Sequence, residues 1–356
     1  MKKINFGLAV MMACAVSVPA LAQDKPVAGE VAEGSLKGKT LTFVSYGGIY
    51  QDGQVAALQD FVQKSGVTLL NDGPTETAKL QAQVESGNVS WDVVDTADLP
   101  PYVHCGTLFQ KLDFSKLDIS KIPEGQVGEC SVPAMNYGVV LMYKNDTYKD
   151  NPPTSWKDFF DTEKFPGVRA IDGSGDPVGG LIEQGFIAAG GDVKAMTADD
   201  IEKGIEKIRA LGPDTIYWKT GAESQQLAES GEADMIMMWT GRAMTAVKNG
   251  AQYTPVWQDW LVVMDQLTIP VGVKDPDASY ALINAYLGKE AQEILTEKTS
   301  YTPINLDSKP KVDDATAAFL TNTPERIKQG FQQNIPFWVK NFDLASEKWS
   351  ALLSGN

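Results

Sequence analysis

Apolar residues along this chain alternate between short continuous blocks and stripes with helical spacing. Four of the blocks have the length and composition of buried strands, Leu41–Tyr46, Trp91–Asp95, Val168–Asp172 and Met235–Trp239. Segments between them, such as 75–86 and 198–211, place apolar residues on one face of a helix. Strands that alternate with amphipathic helices predict βαβ units and a mainly parallel sheet.

Two extended apolar runs, Val132–Tyr143 and Asp259–Val273, are longer than a typical strand. We interpret them as crossings between two α/β halves. The predicted fold is therefore α/β, a two-lobed clamshell with two extended hinge crossings. We predict that residues 36–137 and 268–304 form the first lobe, and residues 138–267 and 305–356 the second. Ligands of such folds bind in the cleft, and hinge closure excludes water around them.

The first 22 residues have the pattern of a secretory signal peptide. Lys2 and Lys3 precede an apolar core, and Ala20-Leu-Ala22 is a small-residue cleavage motif. Cys14 raises the alternative of a lipoprotein, but the sequence before it is a poor lipobox and the apolar run continues past it. No later stretch is apolar enough to span a membrane. The sequence thus predicts a soluble, exported protein.

The chain is acidic, with a formal net charge of −15 at pH 7. Removing Lys2 and Lys3 with the predicted signal segment takes away two positive charges and makes the value −17. An acidic chain without a Lys/Arg cluster argues against binding to nucleic acid or to anionic lipid. It is compatible with a cationic or zwitterionic small molecule.

The sequence does not predict a catalytic, cofactor or metal site. Cys105 and Cys130 remain after signal cleavage, and an even count in an oxidising compartment favours a disulfide. His104 beside Cys105 suggests a Cys/His pair, but adjacent residues of an extended chain point to opposite faces. The glycine-rich loop from Gly173 has Val178 where the dinucleotide motif needs its third glycine.

Arg242 is the first candidate ligand-binding residue, because it follows the Met235–Trp239 block through the turn Thr240-Gly241. The helix dipole disfavours a cation at a helix start, so a nearby anion such as a ligand carboxylate is favoured. A planar guanidinium suits a carboxylate, to which it donates two parallel hydrogen bonds. The alternative is an ordinary solvated arginine of the first helical turn.

Asp265 is the second candidate, since it lies within the apolar run 261–270 without clean alternation. It is predicted to be buried with a cationic partner. The alternatives are an outward position on the strand or a pair with Arg242. Trp239 is a candidate wall of the cleft. The turn Ser45-Tyr46-Gly-Gly48 offers hydroxyls and backbone amides to the anionic end of a ligand, although it is equally typical of an ordinary strand-to-helix turn.

Several motifs in order resemble the periplasmic substrate-binding proteins of ABC importers, in the spermidine/putrescine-binding group. They cover nearly the whole chain after the signal segment and are Ser45–Gly48, Asp92–Asp95, Tyr137–Asp146, Trp239–Arg242, Ile269–Gly272 and Tyr301–Asn305. The resemblance implies a binding protein rather than an enzyme, without a cofactor, most simply a monomer. Its implied partners are a small solute and an inner-membrane ABC permease.

Arg242, Asp265 and the cysteine pair resemble the branch that binds γ-aminobutyrate and related ω-amino acids. In that branch an arginine takes the carboxylate and an aspartate takes the amine. The resemblance implies ligand contacts from Arg242 and Asp265. Together with the residue patterns above, we predict further contacts from Gly241, Trp239 and the turn that contains Tyr46. The alternative is a polyamine carrier that uses Asp95 and Asp265 as carboxylate anchors. An exported enzyme of the same fold is a third interpretation, disfavoured because no catalytic set is visible.

Overall fold

The computed structural model describes Met1 and residues 25–123, 125–174 and 180–355. The predicted signal segment and Val178 of the glycine-rich loop therefore lie outside the described residues, except for Met1. No helix within these ranges is long and apolar enough to cross a membrane.

The described residues form a single nine-stranded sheet with helices on its faces. The strands are β1 (Thr40–Val44), β2 (Thr68–Asp72), β3 (Val93–Thr96), β4 (Val132–Lys144), β5 (Arg169–Asp172), β6 (Ile216–Trp218), β7 (Met235–Trp239), β8 (Tyr253–Thr268) and β9 (Phe331–Gln332). The helices are α1 (Gly48–Ala57), α2 (Gln59–Ser65), α3 (Thr77–Ser86), α4 (Pro100–Val103), α5 (Trp156–Phe160), α6 (Leu181–Ala188), α7 (Ala198–Arg209), α8 (Gly221–Ser230), α9 (Thr240–Lys248), α10 (Pro276–Tyr286), α11 (Lys289–Thr299), α12 (Asp314–Ala317), α13 (Pro324–Gln329) and α14 (Ile335–Leu353).

The strand order is β2-β1-β3-β8-β4-β7-β5-β6, with β9 beside β8. Strands β1, β2 and β3 are parallel, and so are β5, β6 and β7. The long strands β4 and β8 lie between these two parallel groups and pair with each other in antiparallel fashion. The α/β class and the two extended crossings are therefore confirmed.

The second crossing begins earlier than the sequence predicts. Strand β8 starts at Tyr253 rather than at Asp259, because residues 253–256 already pair with β4. The register then shifts between Val139 and Leu141 of β4, and Asp259 adopts a positive φ of 57°. This irregularity interrupts the period-2 pattern from which a strand is recognised, and Pro255 weakens the strand signal further.

The predicted disulfide is present and joins Cys105 to Cys130. Cys130 is buried in a cluster with Val44, Val94 and Phe109 behind the first parallel group. The bridge thus ties the segment after α4 to the segment that leads into β4.

The lobe boundaries stay a prediction, and hydrogen bonds indicate where they need adjustment. Asn305 donates to the carbonyl of Leu287, and the backbone amide of Lys309 donates to Glu293. The amide of Lys311 donates to Glu297 on the same helix, α11. Because α11 belongs to the predicted first lobe, we propose that this lobe extends to about residue 311 rather than 304.

Candidate functional site

The strand-to-helix turns of both parallel groups meet at one cavity of about 590 Å³. The first group contributes the turn after β1, the loop after β3 and the start of α3. The second group contributes the ends of β5, β6 and β7. Carboxyl ends of strands are where open α/β sheets bind ligands, since the loops there are free to vary. The cavity therefore lies where the fold predicts a binding site.

Arg242 extends from the first turn of α9 toward the turn between β1 and α1, and its residue is only 4% exposed. Its Nη2 donates to the carbonyl oxygen of Gly47 at 3.1 Å. A Cβ on Gly48 would lie 2.7 Å from Nη1, and one on Gly221 would lie 3.0 Å from Nε. Glycine at these two positions is thus what allows the guanidinium to approach both turns. We call Arg242 with these two glycines the arginine end of the cavity.

The arginine end retains donor capacity. Within the described part of the chain, Nε of Arg242 has no hydrogen-bond partner. No ion pair among the described residues includes Arg242, so Asp265 does not neutralise it. A buried cation without a counter-ion is costly unless a bound anion compensates it.

Asp265 lies on β8 opposite Met135 of β4 and is 3% exposed. Burial raises the pKa of its carboxyl well above the usual range, and the nearby charge of Asp95 raises it further. Interaction with the hydroxyl of Tyr137 opposes this rise in the pKa of Asp265. Oδ1 of Asp265 has no partner among the described residues. An ammonium group would restore the charged form of Asp265 and supply the missing donor.

Asp95 and Asp98 lie beside Asp265, at the end of β3 and in the loop that follows it. Asp95 is fully buried and accepts hydrogen bonds from Tyr50, at 2.6 Å, and from Gln54. Burial raises the pKa of Asp95 to about 7 and that of Asp98 to about 6. None of the three carboxylates has a lysine or arginine partner within the described residues. We call Asp95, Asp98 and Asp265 the carboxylate end.

Aromatic side chains connect the two ends and close the cavity from the sides. The ring centroids of Tyr46 and Trp239 are 6.3 Å apart, and the rings meet edge-on. This contact joins the turn after β1 to the end of β7. The ring centroids of Tyr50 and Tyr301 are 5.0 Å apart, and those of Tyr137 and Tyr301 are 5.6 Å apart. Such rings form apolar walls for methylene groups and attract cations to their faces.

Of the residues predicted from sequence, the structure places Arg242, Asp265, Trp239 and Tyr46 on the cavity wall. It does not place the other four there. Asp95 lies behind Tyr50, and Gly48 packs against the guanidinium of Arg242. Gly241 leaves room for Tyr301, since a Cβ there would lie 2.4 Å from its ring.

Ser45 is the fourth of these residues and is fully buried. The amide of Gly47, which the sequence offers to a ligand anion, donates instead to the side chain of Gln51 at 3.0 Å. Direct ligand contacts from Ser45, Gly48, Asp95 and Gly241 stay predictions. The geometry gives these residues supporting positions behind the wall.

Sequence reasoning did not identify several residues that line the cavity. Tyr50, Asp98, Tyr137, Trp218 and Tyr301 lie on elements distant in sequence, and the strand pairing of the sheet brings them together. Of these five residues, Tyr137 and Tyr301 belong to motifs that carry the family resemblance, and this is the sequence feature that points to them.

Part of the cavity lining is polar. It comprises Asp172, Ser174, Lys219 and Thr220 on the second parallel group and Glu76 and Thr77 at the start of α3. Lys219 is held in place by the carbonyl oxygen of Gly173. No group of His, Cys, Asp and Glu within the described ranges has the arrangement of a metal site.

Comparison with known proteins matches residues 56–323 to the bacterial extracellular solute-binding proteins. The chain belongs to this family. A γ-aminobutyric acid-binding protein of Pseudomonas aeruginosa is 24% identical over 332 residues, which cover 90% of this chain and 92% of that protein. A spermidine/putrescine-binding periplasmic protein of Haemophilus influenzae is 24% identical over 268 residues, covering 71% and 72% of the two chains.

A solved structure, that of the Atu4243–GABA receptor, has 31% sequence identity and a TM-score of 0.78. The match covers 89% of this chain and 98% of that chain. The two-lobed binding-protein fold predicted from sequence is confirmed by this match together with the strand order. Members of the family bind solutes outside the cell, and the Haemophilus influenzae relative is periplasmic.

Proposed function

We propose that this chain is the periplasmic binding component of an ABC importer and captures a small solute that carries a carboxylate and an amine. An ω-amino acid such as γ-aminobutyrate fits this description. Two unpaired groups carry the proposal. Arg242 and Asp265 line one cavity, and each has a buried polar atom without a partner among the described residues. A zwitterion would pair with both groups at once.

In this proposal Arg242 binds the carboxylate with its free donor, and Asp265 binds the ammonium group. Trp239 and Tyr46 contact the methylene chain between the two charged groups. The resemblance to the γ-aminobutyric acid-binding relative and to the Atu4243–GABA receptor supports the same ligand class. No covalent chemistry is involved. The bound solute stabilises the closed arrangement of the lobes, and the closed form is what the permease recognises.

Export by the predicted signal segment, residues 1–22, and action as a monomer belong to the same proposal. Export is supported by the signal pattern and by the periplasmic relative.

A polyamine carrier is the second candidate. Four carboxylate residues line the cavity, Glu76, Asp98, Asp172 and Asp265, against the two cations Arg242 and Lys219. This excess of negative charge favours a ligand with more than one amino group, and a spermidine/putrescine-binding relative supports it. Against it stands Arg242, whose unpaired positive charge at the cavity wall would repel a diamine.

Calorimetric titration with γ-aminobutyrate, putrescine and spermidine tests both candidates. We expect γ-aminobutyrate to bind at least about tenfold more tightly than either polyamine, because only it compensates Arg242. Asp265→Asn should weaken γ-aminobutyrate binding by about 100-fold, since it removes the charge that pairs with the ammonium. Tight binding of putrescine together with undetectable binding of γ-aminobutyrate would replace the first candidate with the second. A changed mass of the solute after incubation would contradict both.

A further inference from the structure

Asp98 lines the cavity but has no role in the capture of γ-aminobutyrate proposed above. It follows β3, two residues before α4 begins, and is 6% exposed. Its Oδ1 accepts a hydrogen bond from Nε2 of Gln266 at 3.1 Å. Its charge raises the pKa of Asp265, so the two carboxylates lie within electrostatic reach of each other.

Within the described ranges, no cationic side chain pairs with the carboxylate of Asp98. A single amide donor leaves most of the acceptor capacity of a carboxylate unused. Burying a second carboxylate beside Asp265 is costly unless cations arrive at both. A purely structural acceptor for Gln266 would not need to carry a charge.

The size of the cavity also favours a solute larger than γ-aminobutyrate. At about 590 Å³ it lies within the range of roughly 300–1,000 Å³ that holds drug-sized ligands, and γ-aminobutyrate is much smaller than these. A compact ammonium group has three donors around one nitrogen. The acceptors, by contrast, are spread over two residues. Among the described residues Asp265 has an unpaired oxygen, and the carboxylate of Asp98 accepts from one amide.

We propose that Asp98 is a second anchor for the cationic end of the solute, which therefore presents N–H donors on more than one nitrogen. This inference rests on the proposed function and narrows its substrate class. The shared chemistry is a carboxylate at Arg242 and a spread cationic group between Asp265 and Asp98. A planar guanidinium and a second amino group both satisfy it, and aromatic neighbours such as Tyr46 and Trp239 suit either cation.

The test compares three ligands that share a carboxylate and its methylene chain. They are γ-aminobutyrate, 4-guanidinobutyrate and N-(3-aminopropyl)-4-aminobutyrate, titrated calorimetrically into the wild-type protein and into Asp98→Asn. We expect wild type to bind at least one of the two larger ligands about tenfold more tightly than γ-aminobutyrate. Asp98→Asn should remove that advantage and change γ-aminobutyrate binding by less than about threefold. Preference for the guanidino compound identifies a delocalised cation, and preference for the aminopropyl compound identifies a second amine.

Asp52→Asn is the matched control, because it makes the same Asp-to-Asn change at an exposed position of α1 that does not line the cavity. It should leave the ranking of the three ligands unchanged. The inference is overturned if neither larger ligand binds more tightly than γ-aminobutyrate, or if Asp98→Asn weakens all three equally. The wild-type ranking stands even where Asp98→Asn does not fold. If none of the three ligands binds at all, the proposed function itself fails, which is a different result.

Discussion

Two buried arginines lie at opposite edges of the same parallel group of strands. Arg169 opens β5 and is 2% exposed, and Arg242 follows β7 and is 4% exposed. Arg169 donates to three backbone carbonyls, those of Phe159 at 3.1 Å, Gly167 at 2.8 Å and Phe165 at 2.5 Å. Arg242 donates to the carbonyl of Gly47, and its Nε has no partner in the described structure.

The difference teaches how to distinguish a structural buried cation from a binding one. Each of the three nitrogens of Arg169 donates to a carbonyl of the segment 159–167, so this guanidinium holds a loop of its own lobe in place. Burial lowers the pKa of Arg169, and the neighbouring Tyr148 and Asp234 oppose that shift. Arg242 lies at the carboxyl edge and has free capacity toward the cavity, which is the requirement for a binding group.

Replacing each arginine by alanine tests this comparison and should give the largest effects. Arg169→Ala leaves three carbonyls without their donor and should lower the free energy of unfolding by about 3 kcal/mol or more. Arg242→Ala should change that free energy much less but weaken γ-aminobutyrate binding by about 100-fold. Urea unfolding and calorimetry of both variants measure the two effects. Similar losses of stability in the two variants, with ligand binding retained in Arg242→Ala, would remove the distinction.

Sequence alone could predict the arginine and the aspartate but not their surroundings. Arg242 and Asp265 stand out because each is a charged residue next to or within an apolar run. This pattern can be recognised without knowledge of the fold. Asp98 lies in a loop before two prolines, where a carboxylate is ordinary. Its position beside Asp265 depends on the pairing of Thr96 with Gln266 across β3 and β8. Contacts of this kind are set by topology, which local patterns do not encode.

The fold, too, has features that follow from local sequence patterns and others that depend on tertiary structure. Boundaries of β4, β7 and α8 follow closely from apolar runs and from glycine at helix ends. The start of β8 does not, because its register shift and Pro255 disturb the alternation. Gly48 has the appearance of an ordinary turn residue in the sequence. Its second role, space for a guanidinium from another segment, requires the tertiary structure.

Gly48→Ala tests whether that space matters, with a smaller expected effect. The new Cβ would lie 2.7 Å from Nη1 of Arg242, and Gly48 has a positive φ of 58°. We expect the guanidinium to shift, with about tenfold weaker γ-aminobutyrate binding and a loss of stability of about 1–2 kcal/mol.

Gly47→Ala is the control for backbone strain. It also introduces a Cβ at positive φ, but that atom would meet nothing within 4 Å. Thermal unfolding and calorimetry should therefore show reduced stability in both variants and reduced affinity mainly in Gly48→Ala. Equal losses of affinity would mean that strain in the turn, rather than contact with Arg242, governs binding.

The smallest expected effect is a pH dependence of stability that comes from Asp95 at the carboxylate end. Its pKa of about 7 in the folded protein is higher than the ordinary value, so the folded state binds the extra proton. The resulting stability is complete below about pH 4 and is lost as the pH rises through about 7. Asp95→Asn resembles the protonated form and should make urea unfolding less dependent on pH over this interval.

The same substitution reaches the ligand through Asp265. Loss of the negative charge of Asp95 lowers the pKa of Asp265, so the ionised form that pairs with an ammonium persists to lower pH. The pH midpoint of γ-aminobutyrate binding should therefore shift downward in Asp95→Asn, while affinity above about pH 8 changes only a few-fold. Calorimetry across about pH 5 to 9 measures this shift. An unchanged midpoint would mean that the two carboxylates titrate independently, and that charge at Asp95 has no part in setting the affinity of the cavity.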